Sequence, residues 1–261
     1  MIDTHCHLTF PDFKDKTQAV LDEAAAHGVS GCISISTNTS DCLDVLALAQ
    51  RFDRIWCSSG IHPLYADREP MNWDNILKVI AHPKCVAWGE LGLDNFHKKP
   101  LRDVQHTVLA QQLEVMKTAQ SRGINKPIII HCREAFADLL PILKQAPFDP
   151  GKYVFHCFTG STADMRLLLD FGACVSFTGV LTYSNAAEVR EAAKLVPLDR
   201  LMVETDAPYL SPEPKRTTRP CAPYMTKFTA HKLAEVRGIP FEQFHQTLND
   251  NTHRFFGIDA R

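Results

Sequence analysis

The chain alternates between two apolar patterns along its whole length. Short apolar runs rich in β-branched residues end in Gly, His, Asp or Glu, and each is followed by a longer stretch with helical spacing. Residues 17–27, 104–123 and 163–171 are predicted as amphipathic helices that stop at a glycine. The short runs predict eight strands, near residues 2–7, 31–36, 55–60, 85–90, 127–131, 153–157, 173–177 and 201–205.

This alternation predicts the α/β class and one (β/α)₈ TIM barrel, because eight strand–helix units use up all 261 residues. Barrels of about 200–250 residues commonly form one unit, so a single domain over residues 1–261 is expected. A doubly wound open sheet is the structural alternative. Neither the GxGxxG turn nor the Walker motif that often accompanies that fold occurs in the sequence.

Composition and charge narrow the classes of protein to consider. Hydrophobic residues make up 45% and charged residues 22%, which is ordinary for a globular protein and excludes disorder and coiled coil. The net charge of −2 gives no global attraction for a polyanion, so nucleic-acid binding would need a local positive feature. The N-terminus resembles no signal peptide, and no apolar run approaches the roughly 18 residues of a membrane span. We therefore expect a cytoplasmic protein without a membrane partner, and a monomer by default.

Metal-binding side chains occur at the predicted C-terminal ends of the strands, where barrel enzymes carry their catalytic groups. His5 and His7 are two residues apart on the first strand, so both imidazoles face the same way. The other candidate ligands end four further strands and are Glu90, His131, His156 and Asp206. By the same parity, Cys6, Cys132 and Cys157 are expected to face the helix layer as packing residues and not to bind zinc.

Each candidate ligand by itself has an ordinary structural explanation. A histidine after an apolar run is often a hydrogen-bonded core residue, and Glu90 or Asp206 could form a buried salt bridge. Six ligands at one end of one barrel are too many for a closed tetrahedral site. They suit two cations that share a carboxylate, an arrangement typical of phosphatases and nucleases. The mixed nitrogen and oxygen ligands fit Mg²⁺, Mn²⁺, Zn²⁺ or Ni²⁺.

Several short motifs stand out along the chain. They are Ile2-Asp3-Thr4-His5-Cys6-His7-Leu8, Gly60-Ile61-His62-Pro63, Gly89-Glu90-Leu91-Gly92-Leu93-Asp94, His156-Cys157-Phe158-Thr159-Gly160, Glu204-Thr205-Asp206-Ala207-Pro208-Tyr209-Leu210 and Asn251-Thr252 with Phe255-Phe256-Gly257-Ile258. In this order and over nearly the whole chain, these motifs closely resemble the TatD-like DNase family. The resemblance implies a metal-dependent hydrolase barrel with nuclease activity on DNA, commonly as a 3′–5′ exonuclease. It also implies a site in which Glu90 bridges two metals, one held by His5, His7 and Asp206 and the other by His131 and His156.

The sequence thus leads to a hypothesis of phosphodiester hydrolysis by a water that two metals activate, Mg²⁺ or Mn²⁺ during activity and Zn²⁺ or Ni²⁺ as alternatives. The expected substrate is single-stranded DNA or a DNA 3′ end, with RNA as a further candidate. Asp206 is expected to accept the water's proton and Glu90 to act as the bridging carboxylate. Glu204, two residues before Asp206, either orients a water or is an inward acid paired with a base.

The expected substrate contacts are His62, Arg133, Lys215, Arg216 and Arg219. A loop histidine or solvated charges are the alternatives for these residues. Lys215, Arg216 and Arg219 lie in a loop whose sequence differs from the Arg-Asn-Glu-Pro segment that is usual in the family. An amide or ester hydrolase is the alternative function, because the same activated water would attack a carbonyl carbon. A non-catalytic barrel with a structural metal is a third possibility.

Overall fold

The computed structural model describes residues 1–68 and 70–258, so residue 69 and the last three residues of the expected domain lie outside the described residues. All eight predicted strands are confirmed. The strands are β1 (Ile2–Cys6), β2 (Gly31–Ser34), β3 (Ile55–Ser59), β4 (Cys85–Asp94), β5 (Ile128–Arg133), β6 (Tyr153–Phe155), β7 (Cys174–Phe177) and β8 (Leu201–Val203).

The three helices predicted by residue range are also present, within a few residues of the expected bounds. Helix α6 begins at a reciprocal cap between Ser161 and Asp164 and ends at Gly172, whose positive φ of 103° suits a glycine. The helices of the described residues are α1 (Thr17–Ala26), α2 (Asp41–Arg51), α3 (Trp73–Ile80), α4 (Arg102–Gln120), α5 (Phe136–Gln145), α6 (Thr162–Phe171), α7 (Ala187–Leu195), α8 (Thr226–Arg237) and α9 (Phe241–Phe256).

The eight strands are parallel and follow one another around the sheet in chain order, which confirms the predicted TIM barrel. The seam between the first and last strands is closed by a bridge from Cys6 to Ala207. On either side of it, the His7 amide donates to the Ala207 carbonyl (2.8 Å) and the Asp206 amide donates to the His5 carbonyl (2.9 Å). The barrel therefore closes at the level of the predicted ligands.

The barrel interior beneath that level is apolar. A buried cluster contains Ile129, Val154 and Met202, which lie two residues before His131, His156 and Glu204 along their strands or strand ends. Residues two apart on a strand share a face, so the polar residues point along the same interior surface. A larger apolar cluster packs between the strands and the surrounding helices.

Strand β4 runs four residues beyond its predicted end at residue 90. Its register against β5 shifts between Trp88 and Leu91, and pairing then continues to Asp94. Gly89 sits in this irregularity with φ 120°, where an added Cβ would lie 2.6 Å from the Ile129 carbonyl oxygen. The extension brings Asp94 to the same end of the barrel as Glu90.

Among the helices of residues 1–68 and 70–258, we find none with the length and apolar character required to cross a lipid bilayer.

Candidate metal centre

Two imidazoles and two carboxylates meet across the barrel seam. The Nε2 atom of His5 lies 3.4 Å from Oε1 of Glu90 and 3.7 Å from Oδ1 of Asp206. The Nε2 atom of His7 lies 3.6 Å and 3.4 Å from the same two oxygens. The alternation along β1 therefore places both rings against the same pair of oxygens, as expected from the His-x-His spacing.

The other oxygen of Glu90 faces a second pair of imidazoles. Oε2 of Glu90 lies 2.8 Å from Nε2 of His156 and 3.5 Å from Nδ1 of His131. Those two ring nitrogens are 3.3 Å apart. One carboxylate thus stands between two groups of nitrogen donors, which is the arrangement expected of a residue shared by two cations.

Buried polar atoms without partners support a metal at this position. Among the described residues, His5 Nε2 and Glu90 Oε2 are buried and make no hydrogen bond, although nitrogen and oxygen atoms converge around them. Leaving such groups unpaired inside a protein costs about 1–3 kcal/mol each. A divalent cation held by nitrogen and carboxylate oxygen would satisfy them, so the residues present fit a metal.

Three sets of ligand atoms in the described part of the chain lie within 4.8 Å of one another: those of His5, His7 and Asp206, of His62, Glu90 and His131, and of His5, His156 and Glu204.

The carboxylates of the centre are ionised. Burial alone would raise the pKa of Glu90, but His62, His156 and His5 hold it well below its usual range. The pKa of Asp206 is lowered against burial by the hydrogen bond from His7 and the charge of His5. The centre can therefore offer two negative charges to bound cations.

Asp94 is a site residue that received no role from the sequence. Its Oδ2 atom lies 3.0 Å from Nε2 of His131 and its Oδ1 atom accepts a hydrogen bond from the His97 amide. Because an ionised carboxylate only accepts, the His131 proton sits on Nε2 and leaves Nδ1 free to face Glu90. Asp94 lies four residues after Glu90 on the same strand. This even spacing was the signal that could have identified Asp94 as a site residue.

Replacement of Asp94 by asparagine is expected to weaken metal binding without unfolding the barrel. The neutral amide no longer stabilises the His131 ring in this orientation, and such partners are typically worth about 10–100-fold in metal affinity. Titration calorimetry with Mn²⁺ would measure the change. Asp138→Asn is the matched control, because Asp138 also binds the nearby loop, through Asn95 (2.7 Å), but contacts no candidate ligand. Equal affinity in Asp94→Asn and wild type would contradict the assignment.

Glu204 lies behind His156 in a buried hydrogen-bond network. Its Oε1 accepts from the Cys157 amide (2.7 Å) and lies 3.4 Å from Nδ1 of His156, and its Oε2 accepts from Ser176 (2.6 Å) and Thr4 (3.3 Å). Both oxygens are thus engaged in a buried network. Of the two alternatives for Glu204, the structure favours the inward acid paired with a base over the water-orienting residue.

His62 presents a hydrogen-bond donor to the centre. Its Nδ1 accepts from the Leu64 amide at 2.9 Å, so the ring proton is on Nε2, which lies 3.8 Å from Oε2 of Glu90. Burial lowers the pKa of His62 to about 3, although the neighbouring Glu90 carboxylate acts in the opposite direction.

The centre forms the floor of a cleft of about 620 Å³. The basic residues that were predicted to contact substrate differ in whether they line this cleft. Arg133 lines the cleft, and its guanidinium carbon lies over the Phe96 ring, 3.8 Å from the ring centre. Arg216 instead covers Tyr183 at 3.7 Å, and Arg219 donates to the backbone carbonyls of residues 216 and 218. Among the described residues that line the cleft, we find Arg133 but not Lys215, Arg216 or Arg219.

Cys6 lies in the apolar cluster between the strands and the helices and Cys132 packs against it, as expected. The expectation is wrong for Cys157, which lines the cleft. Strand β6 ends at Phe155, and Cys157 adopts a positive φ of 48°, so the alternation of facing no longer holds there. The Cys157 thiol lies 3.5 Å from the Thr178 hydroxyl.

A (β/α)₈ barrel with histidines and carboxylates gathered at the carboxyl ends of its strands defines a metal-dependent hydrolase. The sequence model of the TatD related DNase family matches residues 2–257, and the chain belongs to this family.

Individual relatives cover the whole chain. The "Uncharacterized metal-dependent hydrolase YcfH" of Escherichia coli (strain K12) is 35% identical over 263 residues, which are 100% of this chain and 97% of that protein. The human "3'-5' RNA nuclease TATDN2" is 37% identical over 276 residues, which are 98% of this chain and 35% of that longer protein. The crystal structure of YJJV, a TatD homolog from Escherichia coli k12, superposes with a TM-score of 0.89 at 30% identity, covering 99% of this chain and 98% of that one.

Proposed function

We propose that the protein is a deoxyribonuclease that uses two divalent cations, Mg²⁺ or Mn²⁺ during activity, to hydrolyse phosphodiester bonds. The observation that carries this proposal is the position of Glu90, whose two oxygens face two separate pairs of imidazoles at the floor of an open cleft. Two divalent cations outweigh the charges of Glu90 and Asp206. The cleft floor would then be positive in a chain whose net charge is −2, which suits a polyanion.

Different residues would accept the proton of the water and bind the phosphate oxygens. When bound, the cations supply an activated water and stabilise the charge that develops on the phosphate oxygens. Asp206 is the carboxylate placed to accept the water's proton, because its side chain is 17% exposed whereas that of Glu90 is 2% exposed. The His62 Nε2–H donates to a phosphate oxygen, and Arg133 binds phosphate through its guanidinium edge.

The proposed substrate is single-stranded DNA or a DNA 3′ end, degraded from 3′ to 5′ by a cytoplasmic monomer. The description of the family supports DNA, and the human relative described as a 3′–5′ RNA nuclease supports the polarity and makes RNA a further substrate. The basic loop that contains Lys215, Arg216 and Arg219 does not line the cleft and would contact the strand beyond it.

The test uses one single strand labelled at either end and incubated with protein in Mg²⁺ or Mn²⁺. Early loss of the 3′ label, with a ladder of shortening 5′-labelled products, is the expected result. His156→Ala should abolish the ladder because the second imidazole pair is broken, whereas His27→Ala, at the C-terminal end of α1, should not. Strands that stay intact across both metals would contradict the nuclease proposal, and equal activity in His156→Ala would indicate a contaminant.

A further inference from the structure

One side of the cleft is built from aromatic rings and a stacked arginine. These residues come from the loops after β1, β3 and β8, and all of them line the cleft. We call them the aromatic wall: Phe10, Tyr65, Arg68 and Tyr209.

The rings of the aromatic wall adjoin imidazoles of the site, Phe10 next to His7 and Tyr65 edge-on to His62 at 6.0 Å. Phe10 stacks on His7 with ring centres 4.7 Å apart and planes 18° apart, and Tyr209 stands edge-on to Phe10 at 6.3 Å. The Arg68 guanidinium lies 3.9 Å above the Tyr65 ring.

Tyr209 is 53% exposed although it directly follows the metal-site loop and could pack against its neighbours. Large aromatic side chains left open beside a polar centre are typical of ligand contacts. A flat ring and a flat guanidinium both offer a face to another planar group. The wall is therefore suited to a planar, electron-rich group attached to the anion that the metal centre binds.

We propose that the aromatic wall is a base-stacking subsite, which holds an unpaired nucleobase next to the scissile phosphate and makes the enzyme select single strands. This inference rests on the proposed nuclease function and assigns the substrate's base to particular residues. A base inside a duplex is stacked on both faces and paired at its edge, so it is not available to Tyr209 unless the end frays.

The two sides of the cleft would then bind different parts of one strand. Arg133 is the last residue of β5, its guanidinium lies over the Phe96 ring of the loop after β4, and it lines the cleft, where it suits a phosphate. The aromatic wall lines the opposite side of the cleft, next to His7, and suits a base. A strand end would lie across the metal centre with its terminal base on the wall.

Binding of a fluorescein-labelled single-stranded oligonucleotide tests the subsite. Phosphorothioate linkages prevent cleavage, and a second oligonucleotide carries an abasic 3′-terminal nucleotide. In Mg²⁺, Tyr209→Ala is expected to raise the Kd of the intact strand about tenfold, as for loss of one stacked base. Tyr209→Phe, which keeps the ring, should bind like wild type. Tyr224→Ala is the matched control, because the Tyr224 ring lies beside His27, with ring centres 4.9 Å apart, and does not line the cleft, so the Kd should not change.

The abasic strand separates stacking from other effects. Removing the base should raise the Kd of wild type about tenfold, and it should add nothing to Tyr209→Ala, because both changes delete the same contact. A Kd for Tyr209→Ala within twofold of wild type, or two losses that multiply, would overturn the subsite. Binding that follows this pattern without cleavage of an unmodified strand would instead contradict the nuclease proposal alone.

Discussion

Glu90→Gln is expected to lower phosphodiesterase activity by about a thousandfold or more and to remove most of the bound metal. The glutamine is neutral, and its amide nitrogen replaces one of the two oxygens that face the imidazole pairs. One cation position would then meet an N–H donor instead of a lone pair. The remaining imidazoles of His5, His7, His131 and His156 would have lost the charge that draws two cations together.

Metal content by mass spectrometry, activity on a labelled single strand and circular dichroism together test this result. Glu134→Gln is the matched control, because Glu134 borders the neighbouring pocket at the same end of the barrel but contacts no candidate ligand. The control should keep its metal and its activity. A Glu90→Gln protein that is folded, fully metallated and within tenfold of wild-type activity would contradict the bridging role.

Asp206→Asn is expected to lower kcat by about 10²–10⁴-fold while the KM for an oligonucleotide changes little. Asparagine preserves the shape of the side chain but cannot accept the water's proton. His5, His7 and Glu90 remain to bind the first cation, so metal affinity should fall much less than it does in Glu90→Gln. A kinetic defect at saturating metal would therefore distinguish loss of a base from loss of a ligand.

The measurement is steady-state kinetics across a range of Mn²⁺ concentrations, with Asp12→Asn as the comparison. Asp12 lies in the short turn after β1, near the cleft but outside the metal centre. If high Mn²⁺ restores kcat in Asp206→Asn, Asp206 acts only as a ligand and the proton must go to another group.

The barrel and the candidate ligands could be predicted because both follow from local patterns. Strand propensity and helical spacing identified eight units, and a parallel barrel necessarily gathers the carboxyl ends of its strands. Strand periodicity then placed His5 and His7 on one face. Cys157 shows where this reasoning stops, because the strand ends two residues earlier and a positive φ turns the side chain into the cleft.

The contacts that refine the site could not be predicted, because they join residues far apart in the chain. The orientation of His131 depends on Asp94, which reaches it only because β4 continues past an irregularity into pairing with β5. Glu204 accepts hydrogen bonds from Thr4 and Ser176, which lie on two other strands, and no local pattern indicates these partners.

The sequence by itself determined the fold class, the end of the barrel where the chemistry lies and the residues that could bind metal, because these depend on repeating local patterns. Only the tertiary structure decided which oxygen of Glu90 faces which imidazoles, which basic side chains line the cleft and which loops form the aromatic wall. Loop conformations depend on packing between distant segments, and no short pattern in the chain specifies them.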